Sequence, residues 1–432
     1  MIYDKNIECA TRSEIEAIQS EKLKKIVRHA YDNLRYYRDK MNAISLTPDD
    51  VKSIADVYKL PFTTKEDLRD NYPFGTFAVP NKEIVRIHAS SGTTGKAKVL
   101  GYTRGDLEMW AECVARCLTM AGITENDVVQ VAYGYGLFTG GLGAHAGAEK
   151  LGAMVVPMST GNTKKLITMM KDLGATAIAC TPSYLLHIIE VLESTGEINE
   201  IALKSAICGA EPWTENMRNE IERRLHVRAH DIYGLTEMMG PGVACDCEFH
   251  KGLHICEDHF LSEIVDESTL LPLPAGETGE LVMTTLSKYG VPLIRYRTRD
   301  LTSLNYDKCE CGRTSARIAR FKGRSDDMMI IRGVNVFPSQ IEAALLEIEE
   351  ATAHYVINVD RINNMDTLEI QVELKEQYFS DEIRKLEAIN QKIARNLQQS
   401  IGLAAKVKLV EPNSIERSFG KTCHVNDRRV LN

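Results

Sequence analysis

Val128-Val129-Gln130-Val131-Ala132-Tyr133 runs straight into Gly134-Tyr135-Gly136-Leu137-Phe138-Thr139-Gly140-Gly141-Leu142-Gly143, an apolar β-branched run followed by glycine-rich sequence. A short run of this kind, bounded by turn formers, suits a buried strand. The pattern recurs, because Ala153 to Pro157, Ala175 to Cys180 and Lys204 to Cys208 are also short apolar runs separated by helical segments. Strands alternating with helices between about Ile84 and Ile207 predict an α/β sheet. In such sheets ligands collect beyond the carboxyl ends of the strands. Gly134 to Gly143, Thr181-Pro182-Ser183 and Gly209-Ala210-Glu211-Pro212 are therefore candidate walls of one site.

Outward from this core, Arg12 to Lys40 carries apolar residues at helical spacing (Ile15, Ile18, Leu23, Ile26, Ala30) and predicts one amphipathic helix. After Gly240 the pattern turns β-rich, with Gly279 to Thr285 and Leu293-Ile294-Arg295-Tyr296 as expected strands. The small polar stretch Gly323-Arg324-Ser325-Asp326-Asp327 separates two apolar runs and suits a hinge, which divides the chain into residues 1–325 and 326–432. The second part reads as a helix (Ile341 to Ile348), two strands (His354 to Asp360, Thr367 to Leu374), a long helix (Asp381 to Ile401) and a strand (Lys406 to Val410). That order suggests a small α+β lid. The expected fold is thus α/β: a large multi-sheet amino-terminal domain with a β-rich subdomain, and a small mobile α+β carboxyl-terminal domain.

The 432 residues hold 44% hydrophobic and 26% charged residues, ordinary for a globular enzyme. A net charge of -8 argues against nucleic acid as the main partner. No run could span a bilayer, and Met1 to Arg12 lacks the apolar core of a secretory signal. Eleven widely spread cysteines then favour reduced thiols and a cytoplasmic location over a disulfide framework.

Ser90-Ser91-Gly92-Thr93-Thr94-Gly95-Lys96 packs hydroxyls, two glycines and a lysine into seven residues. Small residues let the backbone approach closely, and hydroxyls, amides and an ammonium donate to anionic oxygens, so a polyphosphate is the natural guest. The glycine spacing and Ala97 differ from the common P-loop. A surface turn between strands is the competing explanation. Tyr233-Gly234-Leu235-Thr236-Glu237 follows the strand-like Ala229 to Ile232 and offers a ring, a hydroxyl and a carboxylate, suited to an adenine face, a phosphate contact and a magnesium ligand. A packed ring and a solvated charge would look the same. Tyr296-Arg297-Thr298-Arg299-Asp300 supplies a carboxylate that could accept both ribose hydroxyls, and Gly323-Arg324-Ser325-Asp326 and Lys421, after Arg417-Ser418-Phe419-Gly420, complete five segments.

In this order the segments resemble the adenylate-forming superfamily of acyl-CoA synthetases, and in particular the phenylacetate-CoA ligase family. Ala89 to Lys96, Leu60 to Leu68, Gly252-Leu253-His254 with Glu257-Asp258-His259-Phe260, and Arg332 to Pro338 carry the likeness over nearly the whole chain. The resemblance implies that Ser90, Ser91, Gly92, Thr93, Thr94, Gly95 and Lys96 hold the β- and γ-phosphates of ATP. It implies that Thr236 and Lys421 stabilise charge on the reacting phosphoryl group and that Glu237 holds magnesium. It implies too that Asp300 and Arg324 fix the ribose, and that Tyr233-Gly234 and Gly209-Ala210-Glu211-Pro212 flank adenine. It further implies that Asp326 is a pivot about which the lid turns, presenting Arg332 and Gly333 to coenzyme A. Without it, Lys421 is a solvated lysine on a polar tail.

Tyr135, Gly136, Phe138 and Gly141 could form the wall of an acyl pocket, with rings to stack on a flat apolar acid, or Tyr135 and Phe138 could fill core. His145 and Trp110 are unplaced neighbours. Cys245-Asp246-Cys247, His250, His254, Cys256 and Cys309-Glu310-Cys311-Gly312 gather potential zinc ligands. Cys247, His254, Cys309 and Cys311 sit in the family-like wording and form the favoured structural site; Cys245, Cys256 and His250 compete, and buried free thiols are the alternative. The expected activity joins an aryl carboxylate, ATP and coenzyme A with magnesium, by way of an acyl-AMP. Rivals are delivery of the acyl group to a carrier protein and nucleotide sensing without turnover. A homodimer is compatible with all three.

Overall fold

The computed structural model of the chain describes all residues but 91–96, 326, 328, 333, 363–364, 380–381, 416–424 and 430–432; the side chains of Ile330, Asn335, Ile362, Met365 and Ile383 also lie outside the described set. The chain forms two compact units. One comprises Met1–Cys180, Leu192–Ala210 and Val227–Phe321; the other comprises Thr181–Val191, Glu211–His226 and Lys322–Asn432.

After one helical turn at Lys5–Glu8, the first unit has helices α1 (Arg12–Asn33) and α2 (Arg35–Ala43) where one was expected. Leu34 is the break: its extended backbone (φ -116°, ψ 112°) separates two faces that bury Leu23, Ile26 and Ala30 on one side and Tyr37 and Met41 on the other. A hairpin follows, β1 (Arg86–Ser90) paired with β2 (Lys98–Tyr102), with Ser90 opposite Lys98. Then come α3 (Arg104–Met120), β3 (Val128–Val131), α4 (Gly140–Leu151), β4 (Met154–Pro157), β5 (Ala177–Cys180), β6 (Ser205–Gly209) and β7 (Arg228–Leu235). The order β4-β3-β5-β6-β7 is parallel throughout. Every residue of β5 and β6 is buried, as expected for strands covered on both faces, and this is why they read as continuous apolar runs.

The β-rich part extends this sheet. β8 (Gly240–Asp246) and β9 (Leu253–Ile255) join it antiparallel beside β7. A separate meander holds β10 (Phe260–Val265), β11 (Gly279–Thr285) and β12 (Tyr296–Thr302). The short β13 (Leu304–Asn305) and β14 (Arg317–Ile318) complete the large sheet beyond β9. Leu293 to Arg295, expected as strand, is not one. Arg295 has φ 46°, and its guanidinium bonds Glu263 and the carbonyls of Tyr58 and Leu60, so the chain turns to bury that charge before β12 starts.

In the second unit, hairpin β15 (Met329–Ile331) and β16 (Val334–Val336) leads into α5 (Pro338–Leu346). β17 (Ala351–Ile362) and β18 (Met365–Leu374) pair antiparallel; β19 (Lys406–Val410), after helix α6 (Ile383–Ile401), and β20 (Val425–Asp427) add parallel edges. Ile341, Leu345, Ile357, Ile370, Ile393 and Leu397 form its core. The short β15–β16 hairpin and β20 were not foreseen.

Candidate active site

Strand β7 runs through Tyr233-Gly234-Leu235, so the aromatic of this motif is fixed by sheet hydrogen bonds. A Cβ at Gly234 would collide with the carbonyl oxygen of Gly240, which only glycine avoids, and the chain folds back there tightly into β8. The turn between the strands places Thr236 and Glu237, both nearly buried. Glu237 forms an ion pair with Lys98 at the start of β2. Burial pushes the Glu237 carboxyl up, but the charge and hydrogen bond of Lys98 outweigh it and hold it below its ordinary value. Opposite Lys98, the buried Ser90 hydroxyl has no partner among the described residues. Thr236 Oγ1 lies 3.4 Å from Thr139 Oγ1, at the end of the glycine-rich loop.

A few residues away along β7, Tyr233 donates its hydroxyl to Asp300 Oδ2 at 2.6 Å, and its ring lies 4.7 Å from that of Phe321. Asp300 is held in turn by its own amide bonding Thr298 Oγ1 at 3.1 Å. Two expected segments, 67 residues apart in the chain, thus meet at one pair of side chains.

Tyr135 is half-buried, with its hydroxyl 3.3 Å from His145 Nδ1, and burial pushes its pKa up to about 12. Phe138 is 43% exposed, which removes the core-filling alternative for that ring. Gly141 lies inside the first turn of α4, not in a loop; a Cβ there would be 2.7 Å from the Gly134 carbonyl. Gly136 has φ 141°. Trp110 is core: its indole N–H donates to the Pro241 carbonyl at 2.8 Å and its ring stacks on Tyr102 at 5.3 Å.

Gly209 ends β6, with Ala210 in a left-handed conformation (φ 72°) after it. In the second unit, Glu211 Oε1 accepts the Ser183 amide at 2.7 Å while Pro212 is exposed. Arg324 lies 3.4 Å from Asp327, and Arg332 donates to the Ala404 carbonyl at 3.1 Å. Ser91 to Lys96, Asp326, Gly333 and Lys421 lie outside the described residues.

Sequence reasoning passed over Lys98, Tyr102, Lys288 and Phe321. A signal existed for the first two, since the period of two along Lys98-Val99-Leu100-Gly101-Tyr102 puts Lys98 and Tyr102 on the face of buried Leu100. Lys288 is fully buried; its ammonium donates to the Glu237 carbonyl at 2.9 Å and sits 4.5 Å from the Tyr102 ring centre. Burial pulls the Lys288 pKa down to about 7 against the charges of Asp106 and Glu237.

Of the cysteine candidates, Cys247, His254, Cys309 and Cys311 converge, with their ligand atoms all within 4.8 Å of one another. Cys247 Sγ is 3.7 Å from Cys309 Sγ, and Cys311 Sγ is 3.5 Å from His254 Nε2. A tetrahedral zinc with its usual bond lengths has edges of about 3.8 Å between sulfurs and about 3.6 Å between sulfur and nitrogen. His254 Nδ1 bonds Ser315 Oγ at 3.0 Å, which turns Nε2 toward the thiols. The competitors lie elsewhere: His250 Nδ1 bonds Asp246 at 2.8 Å, and Cys245 and Cys256 are buried with Cys117.

Residues 12–287 match the family model described as AMP-binding enzyme, and residues 333–429 match that of the AMP-binding enzyme C-terminal domain. A 2-hydroxyisobutyryl-CoA ligase, solved in a postadenylation state with an acyl-AMP, superposes with TM-score 0.93 at 30% identity over 99% of this chain and 92% of that one. Fold and site thus define the class of adenylate-forming ligases. Phenylacetate-coenzyme A ligase of Escherichia coli (strain K12) is 50% identical over 98% of this chain and 97% of its own, and that of Thermus thermophilus is 46% identical over 100% and 99%. The chain belongs to the phenylacetate-CoA ligase family.

Proposed function

We propose that this enzyme activates phenylacetate or a related aryl carboxylic acid with ATP, as an acyl-AMP, and transfers the acyl group to coenzyme A, giving the aryl-acyl thioester, AMP and pyrophosphate. The observation that carries this reading is the buried Thr236-Glu237 turn beside the Tyr233–Asp300 pair, in a chain half identical to a phenylacetate-coenzyme A ligase. A carboxylate is a poor acyl donor because oxide would have to leave. Attack of its oxygen on the α-phosphorus expels pyrophosphate, and the thiol of coenzyme A then displaces AMP from the acyl carbon.

Each group has a task in that sequence. Ser90 through Lys96 grips the phosphates that depart, and Thr236 and Lys421 donate to oxygens that gain charge at the reacting phosphorus. Asp300 and Arg324 fix the ribose, and Tyr233 and the Gly209 to Pro212 loop take the base. Magnesium, with Glu237 as its protein ligand, supplies positive charge against the phosphates, as a hard cation on oxygen ligands does. Lys98 pairs with that carboxylate and favours its ionised form, the form in which it would hold the cation. Tyr135, Gly136, Phe138 and Gly141 receive the aryl ring. Asp326 serves as pivot for residues 326–432, which bring Lys421 to the first step and Arg332 and Gly333 to the second. A structural zinc on Cys247, His254, Cys309 and Cys311, a cytoplasmic location and a homodimer belong to the same proposal.

The test is aryl-acid-dependent ATP–pyrophosphate exchange, followed by thioester formation with free coenzyme A across a panel of acids ranked by kcat/KM. Exchange without thioester formation would transfer the reading to a carrier-dependent adenylating enzyme; no exchange with any aryl acid would overturn it. Lys421→Ala should lower exchange by about 100- to 1,000-fold and spare thioester formation from a supplied acyl-adenylate. Equal loss in both half-reactions would remove the role assigned to Lys421.

A further inference from the structure

The Thr236-Glu237 peptide is held from below by two side chains that the reaction itself does not call for. The Tyr102 hydroxyl donates to the Thr236 carbonyl at 3.2 Å, and Lys288 Nζ donates to the next carbonyl, that of Glu237, at 2.9 Å. The two donors are themselves joined, since the ammonium lies 4.5 Å from the centre of the Tyr102 ring, and both residues are fully buried. Behind Lys288, Asp106 fixes the backbone: its Oδ1 accepts the Tyr289 amide at 2.7 Å and its Oδ2 the Gly290 amide at 2.9 Å. A Cβ at Gly290 would come within 2.7 Å of that carboxylate, so the loop fits only as glycine. Behind Tyr102, Trp110 stacks at 5.3 Å and His88 meets the ring edge-on at 5.4 Å.

A buried lysine is costly and is retained where its hydrogen bonds matter. With two successive carbonyls pinned, the peptide planes on either side of the Glu237 Cα are fixed, which aims the Glu237 side chain and anchors the backbone that carries Thr236. We propose that Lys288 and Tyr102 form a positioning clamp that sets the Thr236 hydroxyl and the Glu237 carboxylate for adenylation. The inference rests on the roles given above to Thr236 and Glu237.

Lys288→Met keeps an unbranched stem out to Cε and removes the ammonium; Tyr102→Phe removes one hydroxyl and leaves the ring. Pyrophosphate exchange should fall by about 100-fold in the first, as misplacement by an ångström does, and by about 10-fold in the second. Calorimetry with magnesium and a non-hydrolysable ATP analogue should show binding weakened about tenfold in Lys288→Met, since the carboxylate is misaimed. Thioester formation from a supplied acyl-adenylate should stay within about twofold of the parent, and the double variant should lose less than the product of the single losses. Unchanged exchange and binding in both single variants would overturn the clamp, as would equal loss in both half-reactions with a lowered Tm. Normal exchange in Glu237→Gln would instead overturn the underlying role of Glu237, and the clamp with it.

Discussion

At the scale of single residues the site is a set of short polar contacts strengthened by burial. Tyr233 and Asp300 illustrate it: the hydroxyl donates to one carboxylate oxygen at 2.6 Å and so orients the side chain proposed to hold the ribose. Tyr233→Phe removes that bond while keeping the ring on Phe321. A hydrogen bond to a charged group contributes about 1.5 kcal/mol, roughly a factor of ten, so KM for ATP should rise about tenfold with little change in kcat. Steady-state kinetics at saturating acid and coenzyme A check this, and an unchanged KM would detach Asp300 from the ribose. Cys309→Ser and Cys311→Ser belong to the same scale. The parent should carry about one zinc per chain by elemental analysis and each variant close to none, with a lowered Tm because the proposed metal would link the residue after β8 to the segment before β14. A folded, metal-free parent would remove the zinc.

At the scale of elements, packing decides where sequence patterns hold. Helices α3 and α4 approach closely through glycines of α4: a Cβ at Gly147 would collide with Val114 Cγ1, and one at Gly143 would lie 2.5 Å from Trp110 Cζ2. Gly147→Ala gains helix propensity but must push α3 away, and overpacking of this kind costs about 1–3 kcal/mol. The urea midpoint should fall with its slope unchanged, and a rise would mean the helices yield freely. The same glycines explain what the sequence concealed. Gly140 to Gly143 look like loop because glycine is rare in helices, yet here the missing Cβ lets α4 lie against α3. Strands β3, β5 and β6 were legible, since burial on both faces leaves a continuous apolar run. The α1–α2 break and the late start of β12 were not, because each is set by a tertiary demand at Leu34 and Arg295 that no local spacing records. Of the site, the hydroxyl- and carboxylate-bearing motifs were readable, while Lys288 was hidden by the rule that lysines face water and Lys98 showed only in the period of two along β2.

At the scale of the whole molecule, the chain's order is not its compact order: Thr181–Val191 and Glu211–His226 fold with residues 322–432. Glu342 of α5 is buried in that unit, and burial, reinforced by the charge of Glu211, pushes its carboxyl up to about 8. The sign follows from proton counts. Between the ordinary carboxyl value of 4.5 and about 8 the folded protein keeps a proton on Glu342 that the unfolded chain has released, so stability falls as pH rises through that window. Each pH unit removes at most about 1.4 kcal/mol, and the contribution is complete only below the unfolded value. Glu342→Gln keeps the shape and cannot ionise, so it removes this slope. Melting of parent and variant at pH 5.5, 7 and 8.5 should show the variant gaining on the parent with each step. Parallel curves would mean that Glu342 is ionised in the fold, with its charge compensated from another side.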